Sequence, residues 1–297
     1  MKRKQFILTA LIAATSLGIT ACGKKGGDSK KAGTTIANVG SDTMLQLGMA
    51  WSEAYKKKVP DVNVEVNGGG SGVGIAGLIN GSVDLANSSK AIEDKEKEDL
   101  KTKQSKEAKE FMVGYDALSI YVHKDNPLNE ISIEELAEIY KEGGKIRKWS
   151  DLGVTAIPGA KGDDIVVISR QNNSGTHHYF KEAIVGKKTE ERADKINQNG
   201  SADVVNIIGT TPNSIGYSGM GYHTDKVKTI KVSKKKGEPT VLPSIETTLN
   251  KTYPIARPMF VYTAGEPAPH IKAYIDWILG PEGQAILKEQ GYVPTPK

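Results

Sequence analysis

Apolar and polar positions follow two different periods in this chain, and the two periods alternate along it. Val62–Val66 alternates apolar and polar residues with period two, which predicts a β-strand. Met44–Lys57 carries apolar residues at helical spacing, with Asp42 or Ser41 as the expected cap, which predicts an α-helix. An alternation of short strands with helices favours an α/β architecture.

The same patterns predict further elements along the chain. Ser132 and Glu135 have the spacing of a capping box, so we expect a helix there that runs to Tyr140. The densely charged segment Glu93–Glu110 is typical of a solvated amphipathic helix. Further strands are predicted at Val83–Ala86, Ala117–His123, Ile165–Ser169 and Pro258–Thr263, and further helices at Gly74–Asn80, after Gly175, at Ile271–Leu279 and at Gly283–Glu289.

The first residues have the pattern of a secretory signal. Lys2, Arg3 and Lys4 precede an apolar stretch, Phe6–Ile19, that is too short to span a bilayer. The segment Ile19-Thr20-Ala21-Cys22 resembles a bacterial lipobox, which implies a signal peptide over residues 1–21 and lipidation of Cys22. The alternative is an ordinary signal peptide with an incidental cysteine. Residues 22–33, rich in Gly, Lys and Ser, are expected to form a lipidated flexible tether.

Composition narrows the function classes. Cys22 is the only cysteine, which excludes an intrachain disulfide and a cysteine metal cage. The formal net charge is +5, but three of the positive charges lie in the signal segment, so bulk charge gives no case for nucleic acid. The histidines lack metal-binding spacing, and we expect no metal and no cofactor. The chain beyond Thr34 is long enough for one large or two medium domains.

One type of loop occurs three times, each time where a helix is expected to begin. The copies combine glycines with hydroxyl residues, and they are Gly40-Ser41-Asp42-Thr43-Met44, Gly68-Gly69-Gly70-Ser71-Gly72-Val73-Gly74 and Arg170-Gln171-Asn172-Asn173-Ser174-Gly175-Thr176. Free backbone N–H groups, a hydroxyl donor and the positive end of a helix dipole together favour an anion. Three such loops suggest one oxyanion held from several sides.

Arg170 is the charged residue of these loops that best fits an oxyanion. It follows an apolar strand at its carboxyl end, which is where open α/β sheets bind ligands. A guanidinium group suits a tetrahedral oxyanion through bidentate hydrogen bonds. The alternative is a surface arginine paired with Asp163 or Asp164.

Two other kinds of chemistry have weaker support. Gly72, Gly74 and Gly77 match the spacing of a dinucleotide-binding loop, but the next acidic residues begin the charged helix instead of ending a strand. Ser174 could act as a nucleophile with His177 or His178, but no G-x-S-x-G elbow accompanies it.

Taken together, the motifs resemble those of the phosphate-binding proteins of bacterial phosphate ABC transporters. The resemblance is carried by Gly40–Met44, the Gly-rich loop around Ser71, Val83–Ser89, Lys148–Leu152, Arg170 with Ser174–Thr176, and Tyr253–Pro258. It implies a two-lobed periplasmic binding protein-like fold (type II) that closes on phosphate. The first lobe would comprise residues 34–114 plus 255–297 and the second residues 115–254, with crossings near Val113–Asp116 and Tyr253–Arg257.

The resemblance also implies a set of ligand-binding residues. They are Ser41, Asp42, Thr43, Met44, Ser71, Ser89, Asp116, Arg170, Ser174, Gly175 and Thr176. Ser89 stands where many members of the family carry an aspartate that accepts the proton of hydrogen phosphate. Asp42 and Asp116 are the candidates for that role, because an acceptor-only carboxylate favours phosphate over sulfate. Asp42 could equally be a plain N-cap, and Asp116 could equally pair with Arg170.

The sequence therefore predicts an extracytoplasmic solute-binding protein, periplasmic or at the cell surface. It would be anchored to the membrane through a lipid on Cys22, bind inorganic phosphate as a monomer and deliver it to ABC transporter permease subunits, with no reaction catalysed. The first alternative is a binding protein for another oxyanion, such as sulfate, molybdate or tungstate. A second is a phosphatase or esterase that uses Ser174, and a third is a phosphate-sensing or adhesin-like surface lipoprotein.

Overall fold

The computed structural model describes residues 33–295. Its strands are β1 (Thr34–Gly40), β2 (Val62–Asn67), β3 (Leu85–Ser88), β4 (Ala108–His123), β5 (Glu130–Ser132), β6 (Val166–Arg170), β7 (Ile196–Gln198), β8 (Ser214–Gly219), β9 (Val227–Thr229), β10 (Lys231–Ser233) and β11 (Ala256–Ala264). Its α-helices are α1 (Leu45–Lys58), α2 (Ser71–Asn80), α3 (Asp94–Gln104), α4 (Ile133–Tyr140), α5 (Gly175–Phe180), α6 (Ser201–Ile208), α7 (Ile245–Leu249), α8 (Pro269–Leu279) and α9 (Pro281–Glu289).

The predicted signal peptide, Cys22 and nearly all of the predicted tether lie outside the described residues. Among residues 33–295, no helix has the length and apolar character needed to cross a bilayer.

One mixed sheet runs through the molecule in the order β2-β1-β3-β11-β4-β8-β6-β7, with β9 paired to β4. At the two ends of the sheet the strand pairs are parallel. At one end β1 pairs with β2 and β3, and at the other β6 pairs with β7 and β8. The central pairs of β11 with β3 and β4, and of β4 with β8, are antiparallel. β5 and β10 form a separate parallel pair.

The long central strand joins two lobes. β4 has 16 residues; it pairs with β11 through Ala108–Ala117 and with β8 through Leu118–Val122. Hydrophobic clusters divide at the same place: one set draws on residues 36–113 and 259–292, the other on residues 117–255. We call these halves the first lobe and the second lobe. The predicted two-lobed α/β fold is confirmed, and the residue boundaries predicted for the lobes stay a prediction.

Most predicted elements are present, with shifted ends. The strand over Val62–Val66 and the Ser132–Glu135 capping box are confirmed. The helix predicted over Glu93–Glu110 is longer than the observed α3. α3 ends at Gln104, because Ser105 adopts a left-handed conformation (φ 55°) that terminates the helix. The chain then turns back as β4, which begins nine residues before the predicted strand at Ala117.

Candidate functional site

Two threonine hydroxyls, one from each lobe, contact each other in the cleft between the lobes, and one buried arginine donates hydrogen bonds to both. Thr43, before α1, and Thr176, in the first turn of α5, have hydroxyl oxygens 2.8 Å apart. Arg257, in β11, donates to both at 3.2 and 2.9 Å, and to the carbonyl oxygen of Ser89 at 3.1 Å. Its Nε and NH2 groups also donate to Oδ2 of Asp116, which is fully buried. One guanidinium group thus contacts residues of both lobes.

A cluster of serines borders the threonines on the first lobe. Ser41 donates from its hydroxyl to Oγ of Ser89 at 3.0 Å, and Oγ of Ser71 lies 3.4 Å from the same oxygen. Ser71 is the first residue of α2, and Gly175 is the first residue of α5. A Cβ atom on Gly175 would lie 2.3 Å from Oγ of Ser71 and 2.8 Å from Oγ of Ser89. Glycine therefore allows the two helix N-termini to face each other closely.

Arg170 supplies a second guanidinium group at the end of β6. It is 1% exposed and donates from NH2 to Oδ2 of Asp42 at 2.8 Å and to the carbonyl oxygen of Asn199 at 2.7 Å. Its NH1 donates to Oγ of Ser201 at 3.0 Å. Its buried Nε has no hydrogen-bond partner among the described residues, which leaves one donor for a ligand. Burial lowers the pKa of Arg170, and the Asp42 carboxylate counteracts that shift.

Two alternative pairings predicted for these residues are wrong. Arg170 is buried, so it is not a surface arginine paired with Asp163 or Asp164. Asp116 does not pair with Arg170 but with Arg257, at 2.8 Å. Each arginine of the cleft therefore has its own aspartate, and the charges of these four groups balance.

Asp42 does not cap α1. Its Oδ1 accepts from the backbone N–H of Gly69 at 2.9 Å, and its Oδ2 accepts from Arg170. The residue before α1 is Met44, whose backbone N–H donates to the carbonyl oxygen of Ser41 at 3.0 Å. The resemblance implies that the N–H group of Met44 contacts the ligand. In the structure, that group is hydrogen-bonded within its own turn.

The loop after β6 reaches across the cleft. Ser174 is the N-cap of α5, and its Oγ accepts from the backbone N–H of Thr176 at 3.2 Å, so its hydroxyl proton is free for another acceptor. Asn173 accepts from the N–H of Gly72 at 3.0 Å and donates from Nδ2 to the carbonyl oxygen of Gly69 at 3.0 Å. The second and third predicted anion loops therefore contact each other directly.

The two histidines after Ser174 have other partners. Nε2 of His177 lies 2.5 Å from Oε2 of Glu191, and Nε2 of His178 lies 3.0 Å from Oε1 of Glu93. Neither imidazole ring therefore serves Ser174 as a base. Among residues 33–295, no group of three or more metal-binding side chains is present.

Arg257 and Ser201 are site residues that the sequence patterns did not predict. Arg257 was named only within the motif Tyr253–Pro258 and the crossing Tyr253–Arg257, although it stands at the start of an apolar strand much as Arg170 stands at the end of one. That parallel was the available signal. Ser201 follows Gly200 as the first residue of α6, and nothing local distinguishes it from an ordinary helix start.

Comparisons with known proteins find a matching family model and similar relatives. Residues 27–282 match the family model of the PBP superfamily domain. The phosphate-binding protein PstS of Pseudomonas aeruginosa is 34% identical over 271 residues, which cover 88% of this chain and 83% of that protein. PstS of Bacillus subtilis is 31% identical over 308 residues, covering 99% and 95%.

A solved structure is also similar to the chain. It is a Clostridium perfringens protein, assigned as a phosphate ABC transporter substrate-binding protein and solved with bound phosphate. The two chains share 29% of their residues with a TM-score of 0.78, and the match covers 89% of this chain and all of the other.

Proposed function

The chain belongs to the PBP superfamily, and from this membership we infer that it is an extracytoplasmic solute-binding protein that captures inorganic phosphate for an ABC transporter. Its relatives carry the name phosphate-binding protein PstS, and the similar structure from Clostridium perfringens holds phosphate. It is a transport protein and not an enzyme, so the phosphate leaves the cleft chemically unchanged.

The observation that carries this function is the convergence of donors from both lobes on one buried point. Thr43 lies on the first lobe, Thr176 on the second, and Arg257 donates to both. Arg170 adds a buried Nε–H group without a partner among the described residues. A tetrahedral oxyanion offers acceptors in several directions at once, and it would therefore bridge the lobes and hold them closed.

We propose that the ligand set comprises nine of the eleven predicted residues, all except Asp42 and Met44, together with Arg257, because the N–H of Met44 is bonded to Ser41 and both oxygens of Asp42 are bonded to Gly69 and Arg170. Oγ of Ser71, the first residue of α2, lies 3.4 Å from Oγ of Ser89, and Ser174 caps α5, whose first turn contains Thr176. Because both arginines are already paired with aspartates, the charge of the anion is stabilised mainly by neutral donors and helix dipoles. Asp116 stays the predicted acceptor of the phosphate proton.

Two further features belong to this proposal, the lipid anchor and the monomeric state. A lipid on Cys22 would anchor the protein to the cell membrane on its extracytoplasmic side, in the periplasm or at the cell surface, and the protein would act as a monomer. Fatty-acid labelling in cells tests the anchor, with Cys22→Ala as the matched control that should lose the label. Light scattering of the chain without the first 33 residues tests the monomer, and a mass of two chains would contradict it.

Calorimetry with phosphate, sulfate and molybdate tests the ligand. We expect phosphate to bind most tightly near pH 7, because it retains a proton that an acceptor in the cleft can bond and sulfate has none. Tighter binding of sulfate or molybdate would make the chain a binding protein for another oxyanion.

A further inference from the structure

The ion pair between Asp42 and Arg170 spans the cleft between the lobes. Asp42 lies in the turn between β1 and α1 of the first lobe, and Arg170 is the last residue of β6 in the second. Arg170 NH2 lies 2.8 Å from Asp42 Oδ2, and the two side chains are 1% and 13% exposed. The contact therefore exists only while the lobes are together.

Each partner is held firmly by its own lobe. Asp42 accepts from the backbone N–H of Gly69 through its other oxygen, at 2.9 Å. Arg170 donates to the carbonyl oxygen of Asn199 and to Oγ of Ser201, both on the second lobe. Neither charged group has to reorganise when the lobes meet, so the pair is preorganised on both sides.

The partners of Asp42 also differ from those expected of a group that accepts a proton from the ligand. One of its oxygens is taken by a backbone N–H and the other by a guanidinium group. The serine and threonine hydroxyls at the centre of the cleft bond to one another, to Arg257 and to Ser201, but not to Asp42, among the described residues.

Resting on the proposed function, we propose that Asp42 is a positioning residue, a latch that draws Arg170 and the second lobe onto the first before the anion arrives. In an open form both groups face water, where such a pair contributes little. In the closed form the pair is mostly buried, and its attraction is screened less. Asp42 thus sets the closed fraction, which scales the apparent affinity for every anion without distinguishing among them.

Small-angle X-ray scattering of the full-length mature chain without phosphate tests this latch. Asp42→Asn should enlarge the radius of gyration of the phosphate-free protein relative to the wild type. Glu53→Gln is the matched control, because it removes an exposed ion pair with Lys57 inside α1 of the first lobe and should leave the radius unchanged. Asp42→Glu retains the charge and should restore part of the closed form.

Calorimetry then separates the latch from a ligand contact. For Asp42→Asn, the ratio of the phosphate and sulfate dissociation constants should stay within about twofold of the wild-type ratio, because both anions share one closing equilibrium. An unchanged radius, or a selectivity that falls tenfold or more, overturns the proposal. If the wild type binds no phosphate at all, the proposed function fails, while the scattering comparison still tests the latch.

Discussion

Thr43 and Thr176, from opposite lobes, bring their hydroxyl oxygens to 2.8 Å, and Arg257 donates to both. Each hydroxyl oxygen accepts from the guanidinium group, and only one of the two protons is needed for the bond between them. The other proton is left for a ligand. Arg257 therefore raises the donor strength of this pair while its own charge is compensated by Asp116.

Substitutions of Arg257 and Asp116 should change the free energy of unfolding and the affinity for phosphate in different ways. Arg257→Gln leaves the fully buried Asp116 without its counter-charge, so the free energy of unfolding should fall by about 3–5 kcal/mol. The double variant Arg257→Gln with Asp116→Asn removes both charges and should recover most of that loss. Its phosphate affinity should stay low, because Thr43 and Thr176 still lack the guanidinium group.

Denaturant unfolding and calorimetry on the same three proteins check this cycle. Recovery of stability together with wild-type affinity would mean that Arg257 serves the fold alone. A double variant as unstable as the single one would mean that the carboxylate of Asp116 is not the cause of the loss.

Arg170→Ala should weaken phosphate binding by about 2–4 kcal/mol, because a buried charged donor is lost from the cleft. Arg147→Ala is the control: this arginine is partly exposed and lies 3.8 Å from Asp194, away from the cleft. Calorimetry should show wild-type affinity for the control. An Arg170→Ala protein that binds phosphate as tightly as the control would place Arg170 outside the ligand's contacts.

Gly175→Ala should block closure without disturbing either lobe. The added Cβ would lie 2.3 Å from Oγ of Ser71 and 2.8 Å from Oγ of Ser89, both on the opposite lobe. We expect the affinity for phosphate to fall about tenfold or more, which is about 1.4 kcal/mol, and scattering to show an open form in the presence of phosphate. The melting temperature without phosphate should be close to that of the wild type, since none of the hydrophobic clusters of the two lobes contains Gly175.

The elements that were predicted correctly depend on patterns among a few neighbouring residues. The periodicity of Val62–Val66 and the capping box at Ser132 are properties of a few neighbouring residues, and both are present. Arg170 was found because the end of a strand next to a glycine-rich loop is a local signal for a ligand site. The end of α3 was missed because a left-handed serine, Ser105, has no sequence signature comparable to that of glycine.

Contacts between residues that are far apart in the sequence could not be predicted from local patterns. The pairing of Asp42 with Arg170 depends on how the lobes close, because these two residues are 128 positions apart in the sequence. Asp116 and Arg257 are neighbours only because β4 and β11 pair in register at those two residues. Local periodicity fixes neither the register nor the closure, so the second arginine of the cleft was not predicted.

The pair of Asp194 with Arg192 should make stability depend on pH in the acid range. Arg192 is buried next to Glu191, the partner of His177, and its Nε and NH2 groups donate to Oδ1 and Oδ2 of Asp194. Hydrogen bonding to Arg192 lowers the pKa of Asp194 to about 2 from 3.8. A lowered pKa means that the stabilisation is complete above about pH 4 and is lost as the pH falls towards about 2. Asp194→Asn should therefore reduce the free energy of unfolding at pH 7, by no more than about 1 kcal/mol because the carboxylate is largely exposed. At pH 2 the variant and the wild type should be nearly equal in urea unfolding, and a difference as large as that at pH 7 would contradict this origin of the stability.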